Sequence, residues 1–359
     1  MLNRQEFIRQ MMAVSAGTAL MGFTGIDRRW ISNIPPVERL NFLSFDLHAH
    51  PGRFYRKGME DYKGDEGLIK TVGEMNTAGL SGVFFSMVVD TLVTKRTPTG
   101  IAPKRKFKKG EAWAEYKRQL AQLKKLCDEI DIRQATRLSD LTLYNEDSGV
   151  AAFFACEGGD FLESTDQLDE MYADGVRSIQ LVHYAPNPLG DLQTSDSQHD
   201  GLSKTGKAMV RKMNDLGIVI DVAHASYKTV LDVADTTESP IILSHSILKL
   251  DEDRPISARA ITPDHAKLVA STGGVIGAWP SGFSTSFEDY VANILRLIDV
   301  VGVERVGLGT DMDSNYKPVL DSYLQLEKLC DALKAKGLSD EEVKKIAGGN
   351  AERILQRVF

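Results

Sequence analysis

Six apolar runs in this sequence each lead into a side chain that can bind a metal ion. Residues 41–45 run into His48 and His50, residues 150–156 into Glu157, and residues 176–182 into His183. Residues 218–223 run into His224, residues 241–244 into His245, and residues 305–310 into Asp311. On a strand, side chains two apart point to the same face, so the imidazoles of His48 and His50 can reach one ion. Glu157 can bridge two ions through its two oxygens. His224 and His245, ending neighbouring strands, can hold the second ion, and Asp311 can return to the first. All of these donors are N or O, which suits Zn2+ first and Mn2+, Co2+ or Fe2+ after it. C-x2-C spacing is absent, which argues against sulfur-ligated zinc. Two divalent ions, two carboxylates and one hydroxide leave a single net positive charge. Such a centre generates a bridging hydroxide at neutral pH and polarises a carbonyl. Asp311 is positioned to take the nucleophile's proton and pass it to the leaving group. The spacing leaves His183 no metal position, so it is assigned to the substrate oxygen as an electrophilic donor. A ligand or structural role for it stays open. His199, among Asp196, Ser197 and Asp200, reads as solvated, and His265, just after Pro263, as a surface residue.

Positioning these side chains requires strands whose C-terminal ends converge. A parallel strand buried on both faces reads as a continuous apolar run, and the ends of eight such strands form the active face of a barrel. Strands are expected at residues 43–48, 82–88, 150–156, 176–182, 218–223, 241–244, 275–279 and 306–309. Helical spacing falls at residues 66–78, 113–130, 168–172, 206–216, 227–236, 263–272 and 290–301, with two more helices in the tail. Gly217 reads as a C-cap, and Ser339 with Glu342 as a capping box. Residues 94–109 read as a loop carrying Lys104, Arg105, Lys106, Lys108 and Lys109, a solvated basic run. The alternation gives an α/β class with a parallel sheet. Strand count and ligands on nonadjacent strands favour a (β/α)8 TIM-like barrel over an open doubly wound sheet.

The chain has 359 residues and 42% hydrophobic content, enough for a sizeable core, and a formal net charge of -7. That balance gives no reason to expect a nucleic-acid partner. Three scattered cysteines make no disulfide framework, and Cys156 reads as a buried apolar residue. Residues 1–30 have the features of an export signal: Arg4 and Arg9, then an apolar stretch over residues 11–23 that is short for a bilayer span. Residues 3–8 are similar to a twin-arginine motif, with Gln5 where the second arginine belongs. The expectation is export to a bacterial periplasm or cell envelope. The mature chain would carry no transmembrane span, and residues 31–359 would form a single catalytic barrel domain with C-terminal helices. The alternative is an amphipathic N-terminal helix on a cytoplasmic protein.

Several local segments together resemble the membrane dipeptidase (renal dipeptidase) family of zinc peptidases, within the amidohydrolase superfamily. They are Asp46-Leu47-His48-Ala49-His50, Cys156-Glu157-Gly158-Gly159, Leu181-Val182-His183 and Gly201-Leu202-Ser203. They continue with Gly206, residues 214–217, residues 220–226, Ser244-His245-Ser246, Arg259 with Thr262, residues 309–313 and Gly348-Gly349-Asn350. The resemblance implies a distorted (β/α)8 barrel hydrolysing dipeptides, with tolerance of a C-terminal D-residue. It implies a first zinc on His48, His50, Glu157 and Asp311, and a second on Glu157, His224 and His245. His183 would contact the substrate carbonyl and Arg259 the substrate carboxylate, a pairing that guanidinium makes bidentately. From the sequence alone Arg259 is a surface arginine. Homodimers are common in the family, though no stripe in this sequence demonstrates one.

The sequence departs from the family in two places. His50 stands where many members have Asp, which makes the metal pair more positive by one charge. Ala260 stands where the family often has Asn, which bears on the geometry of the Arg259 clamp. The competing reading is a TatD-like metal-dependent nuclease, whose ligand order is nearly the same. Hydrolases of other small amides or lactones lie closer still.

Overall fold

Phe84 and Phe85 show how the strands are built. Phe84 faces the barrel interior with Phe45 and Phe153, at ring-centroid distances of 5.1 and 6.1 Å, while Phe85 packs outward against the helical layer. Both faces are therefore apolar, and every residue of Gly82–Val88 is buried. The computed structural model describes residues 39–98, 100–130, 132–144 and 149–359. The expected export signal, residues 1–30, lies outside the described residues. Among the described residues no helix is long and apolar enough to cross a membrane.

Eight parallel strands form a closed ring: β1 (Phe45–Ala49), β2 (Gly82–Val88), β3 (Ala151–Glu157), β4 (Val176–Gln180), β5 (Val219–Asp221), β6 (Ile242–Ser246), β7 (Val275–Ala278) and β8 (Val306–Leu308). β8 pairs with β1, and each other strand pairs with the next in sequence. Helices α1 (Glu66–Ala78), α2 (Glu111–Glu129), α3 (Asp166–Ala173), α4 (Lys204–Leu216), α5 (Tyr227–Thr236), α6 (Pro263–Ser271) and α7 (Phe287–Val301) connect them. The tail adds α8 (Leu326–Ala335) and a run from Asp340 to Val358 that passes through a π-helical turn at Lys345–Gly349. Ala351, Ile354 and Leu355 of this run close the interior cluster at the N-terminal end of the strands. A barrel of this class is the expected fold, and the capping box of Ser339 with Glu342 is present.

Two expectations need correction. Residues 94–109 are not all loop: Thr94–Thr97 and Gly100–Pro103 pair as an antiparallel hairpin. Its residues are exposed or half-buried, so no burial pattern marked it as strand. The basic run after it is solvated, as expected. Helices α4 and α7 begin earlier than their apolar spacing indicated, because Ser203 and Ser286 accept the backbone N–H groups of Gly206 and Asp289 as N-caps.

Gly277 and Gly309 draw the last strands together near the site. A Cβ at either would lie 1.8 Å from the Ser244 carbonyl oxygen, so only glycine fits there. Ser244 directly precedes His245.

Candidate metal centre

The strand ends bring His48, His50, Glu157, His183, His224, His245 and Asp311 into one buried cluster. Glu157 lies at its middle. Its Oε2 is 3.2 Å from His50 Nε2, and its Oε1 is 3.4 Å from the Nε2 atoms of His48, His183 and His224 and 3.7 Å from that of His245. Asp311 Oδ1 lies 3.4 Å from His50 Nε2. The Nε2 atoms of His48 and His50 are 3.0 Å apart, and those of His224 and His245 3.1 Å apart.

Protons can be assigned where the outer ring nitrogen meets a group that only accepts. His50 Nδ1 is 2.7 Å from the Ser86 carbonyl, and His183 Nδ1 is 2.7 Å from Asp90 Oδ1. Both Nδ1 atoms therefore carry hydrogen. Burial works against a second proton on His50, but Asp311 and Glu157 outweigh it and push its pKa well up, so in the absence of a cation Nε2 is protonated as well. Burial first, then the nearby Arg259 and His183 charges, hold His224 well below the ordinary histidine value. Burial and the His48 charge do the same to His245. Burial opposes ionisation of Glu157, yet the facing histidines hold its carboxyl well below the usual range. Imidazole nitrogens and carboxylate oxygens crowded 3.0–3.7 Å from one another suit divalent cations. Three overlapping groups have donor atoms within 4.8 Å of one another: His48, His50 and Asp311; His48, Glu157 and His245; and Glu157, His183 and His224. The third keeps a ligand role for His183 open.

The layer behind the cluster fixes its orientation, as outer-shell partners do in metal sites. Ser244 Oγ lies 3.0 Å from His245 Nδ1 and 3.4 Å from His48 Nδ1. Asp221 Oδ1 accepts the Ser244 and Ala223 N–H groups. Asp46 accepts from Thr310, Tyr323 and the His48 N–H. Asp90 is the residue that sequence reasoning missed. It orients His183 through Oδ1, and its Oδ2 accepts the N–H groups of Tyr184 (3.0 Å) and Ala185 (2.9 Å). It lies in the 3-10 turn that follows β2, so the only signal for it in the sequence is its place just beyond an apolar run. Burial works against protonation of His183, but Asp90 and then Glu157 outweigh it and raise its pKa.

Arg259 corrects the surface reading made from the sequence alone: it is 3% exposed. A short 3-10 turn, Ser257–Arg259, carries it inward. Its Nη1 donates to Gln193 Oε1, and its guanidinium sits 5.6 Å from the Trp279 ring centre. Nε and Nη2 are buried and make no hydrogen bond of ordinary geometry among the described residues, with the Tyr184 side chain close by. His265 is likewise no surface residue. It is 3% exposed, and burial, then the Arg259 charge, push its pKa down to about 4. His199 is half-buried rather than solvated, with Nε2 2.9 Å from the Asn187 carbonyl.

The family described as membrane dipeptidase (peptidase family M19) matches residues 41–359. Among curated proteins, the dipeptidase tcpJ of Claviceps purpurea is 31% identical over 201 residues, covering 51% of this chain and 45% of that protein. The chain thus spans about half the length of the curated relatives it matches. Among solved structures, a metallopeptidase from Rhodobacter sphaeroides, liganded with a phosphinate mimic of the dipeptide L-Ala-D-Ala, superposes with a TM-score of 0.73. It is 21% identical, over 89% of this chain and 100% of that one. The probable dipeptidase PvdM from Pseudomonas aeruginosa gives 0.69 at 20% identity, over 88% and 95% of the two chains. At these identities the structural likeness speaks for the fold.

Proposed function

Because the chain belongs to the membrane dipeptidase family, we propose that it is a metal-dependent dipeptidase, cutting the peptide bond of small dipeptides and accepting a D-residue at the C-terminal position. The observation that carries this reading is Glu157, buried and reached by five imidazoles at 3.2–3.7 Å. His48, His50, Glu157 and Asp311 would hold one ion, and Glu157, His224 and His245 the other. Two divalent ions there, Zn2+ first among those suited to N and O donors, would supply Lewis acidity and an activated water at neutral pH.

The remaining steps belong to the chain. Asp311 takes the proton of the attacking water and returns it to the leaving amine. His183, held through Nδ1 by Asp90 and favoured in its protonated form by Asp90 and Glu157, donates from Nε2 to the oxygen that gains charge at the scissile carbonyl. Arg259 takes the substrate's terminal carboxylate on its unpartnered nitrogens. A carboxylate clamp beside the metal centre leaves room for one residue beyond the scissile bond, which selects dipeptides over proteins. Export through residues 1–30 belongs to the same reading.

Hydrolysis of L-L, L-D and N-acetylated dipeptides by the zinc-loaded protein tests the proposal. Cleavage of free dipeptides is expected, falling by about a hundredfold or more in Asp311→Asn, the usual scale for a lost acid–base group. No cleavage with metal bound would overturn it, and salt-sensitive cleavage of DNA would move the assignment to the nuclease reading.

A further inference from the structure

We infer that Gln193 is a positioning residue that keeps the Nε/Nη2 edge of Arg259 open for the substrate carboxylate. This rests on the dipeptidase reading of the same site. A guanidinium offers several donors in a rigid fork. Here Nη1 is taken by Gln193 Oε1, while Nε and Nη2, which together form a side-on fork, are buried and unpartnered. Gln193 thus fixes one corner of the group, and the Trp279 ring, 5.6 Å away, borders it as well. The edge left over matches a carboxylate bidentately.

The chemistry of the acceptor matters as much as its place. Burial makes an uncompensated guanidinium costly, and no carboxylate pairs with Arg259 among the described residues. Gln193 supplies a neutral acceptor, so it orients the group without cancelling its charge. A carboxylate at the same position would form an internal ion pair and compete with substrate.

The segment around Gln193 is built to hold it still. Gln193 N–H donates to the His224 carbonyl at 2.8 Å, tying the clamp to a residue of the metal cluster. Ser226 N–H donates to the Asp191 carbonyl at 2.9 Å. The Asp191 carboxylate gathers the rest of the loop, accepting from Ser197 Oγ and from the N–H groups of Gln198, His199 and Gly201. The distance between clamp and metal cluster is therefore set by hydrogen bonds on both sides of Gln193.

Steady-state kinetics of the zinc-loaded protein on a dipeptide and its C-terminal amide test this, with Gln193→Met, Gln193→Glu and Arg259→Met compared. Gln193→Met should raise KM for the free acid by about tenfold, the low end of the scale for one hydrogen bond from a charged donor, with kcat within about twofold. Gln193→Glu keeps an acceptor atom at the same reach but adds the competing anion. It should raise KM on the order of a hundredfold and collapse the preference for acid over amide. A merely structural role would lower activity on acid and amide alike. Wild-type KM and wild-type acid-to-amide preference in both Gln193 variants would overturn the inference, as would equal losses on the two substrates. An unchanged preference in Arg259→Met would instead overturn the clamp itself, so the two failures are separable.

Discussion

Replacing Asp90 by Asn separates the two roles open to His183. In the native arrangement Asp90 Oδ1 is 2.7 Å from His183 Nδ1, and Oδ2 accepts two backbone N–H groups at 3.0 and 2.9 Å. Asn has the same shape. Its one oxygen must serve the two backbone donors, which places its amide nitrogen against His183 Nδ1. Because that nitrogen only donates, Nδ1 becomes the acceptor, and the ring, no longer facing an anion there, keeps a single proton on Nε2 and becomes a weaker, neutral donor. A charge-assisted bond of about 1.5–3 kcal/mol gives way to a neutral one of about 0.5–1.5 kcal/mol. The difference, about 1.4 kcal/mol, corresponds to about tenfold in kcat if it is felt in the transition state. The expected result is that loss with KM and metal content unchanged, read by steady-state kinetics and elemental analysis of the same sample. Were His183 a metal ligand, the proton on Nε2 would block its lone pair and bound metal would fall. Loss of metal would therefore refute the substrate-oxygen role. Asp90→Ala is the wrong variant, since it strands three donors and costs roughly 3 kcal/mol or more in stability.

His265, with a folded pKa of about 4 against an ordinary 6.5, binds its proton more readily in the unfolded chain. Stability from this group is complete above about pH 6.5 and is lost as pH falls toward 4, by about 3 kcal/mol in all. His265→Leu removes that share, so the difference in unfolding free energy between wild type and variant should change by this amount between pH 7 and 4; a flat difference refutes the assignment. His50→Asp adds one negative charge to the centre and should move the acid limb of the pH–rate profile upward; an unchanged profile with unchanged metal content would contradict this. Phe84→Ala empties part of the aromatic cluster inside the barrel and should cost about 3–5 kcal/mol in urea unfolding, while leaving KM for a dipeptide unaltered.

The strands were legible because each is buried on both faces, which makes it a continuous apolar run whatever its partners. Their ends were legible because metal-binding side chains stand out against such runs. The less legible features depend on contacts made across the chain. Gln193 meets Arg259 over a separation of 66 residues, and nothing near either residue announces the pairing. Arg259 and His265 looked like surface residues because their types usually are. Only the packing of the turn at Ser257–Arg259 and of α6 against the neighbouring elements buries them. Asp90 is different: it lies two residues beyond β2, in the 3-10 turn Val89–Leu92, and a lone Asp after a strand carries no spacing pattern of its own.

Backbone conformation supplies what residue type could not. His224 and Asp311 have φ values of 65 and 55, in the left-handed region that residues with a Cβ seldom occupy. Each such residue costs on the order of 1–3 kcal/mol and persists only where its surroundings over-determine it. The surroundings here do so: Asp311 N–H donates to the His48 carbonyl at 2.9 Å, and the His224 carbonyl accepts from Gln193 N–H at 2.8 Å. In each case the strained residue bonds to a segment that carries another part of the site. The cost of turning these two side chains inward is therefore offset by bonds that also fix the site: one joins two members of the metal cluster, and the other ties the cluster to the carboxylate clamp. Two residues of the same types at the ends of ordinary extended strands would satisfy the sequence pattern equally well. What distinguishes the site is that its two strained positions are each tied to a further site segment, one to β1 with His48 and one to the loop presenting Gln193.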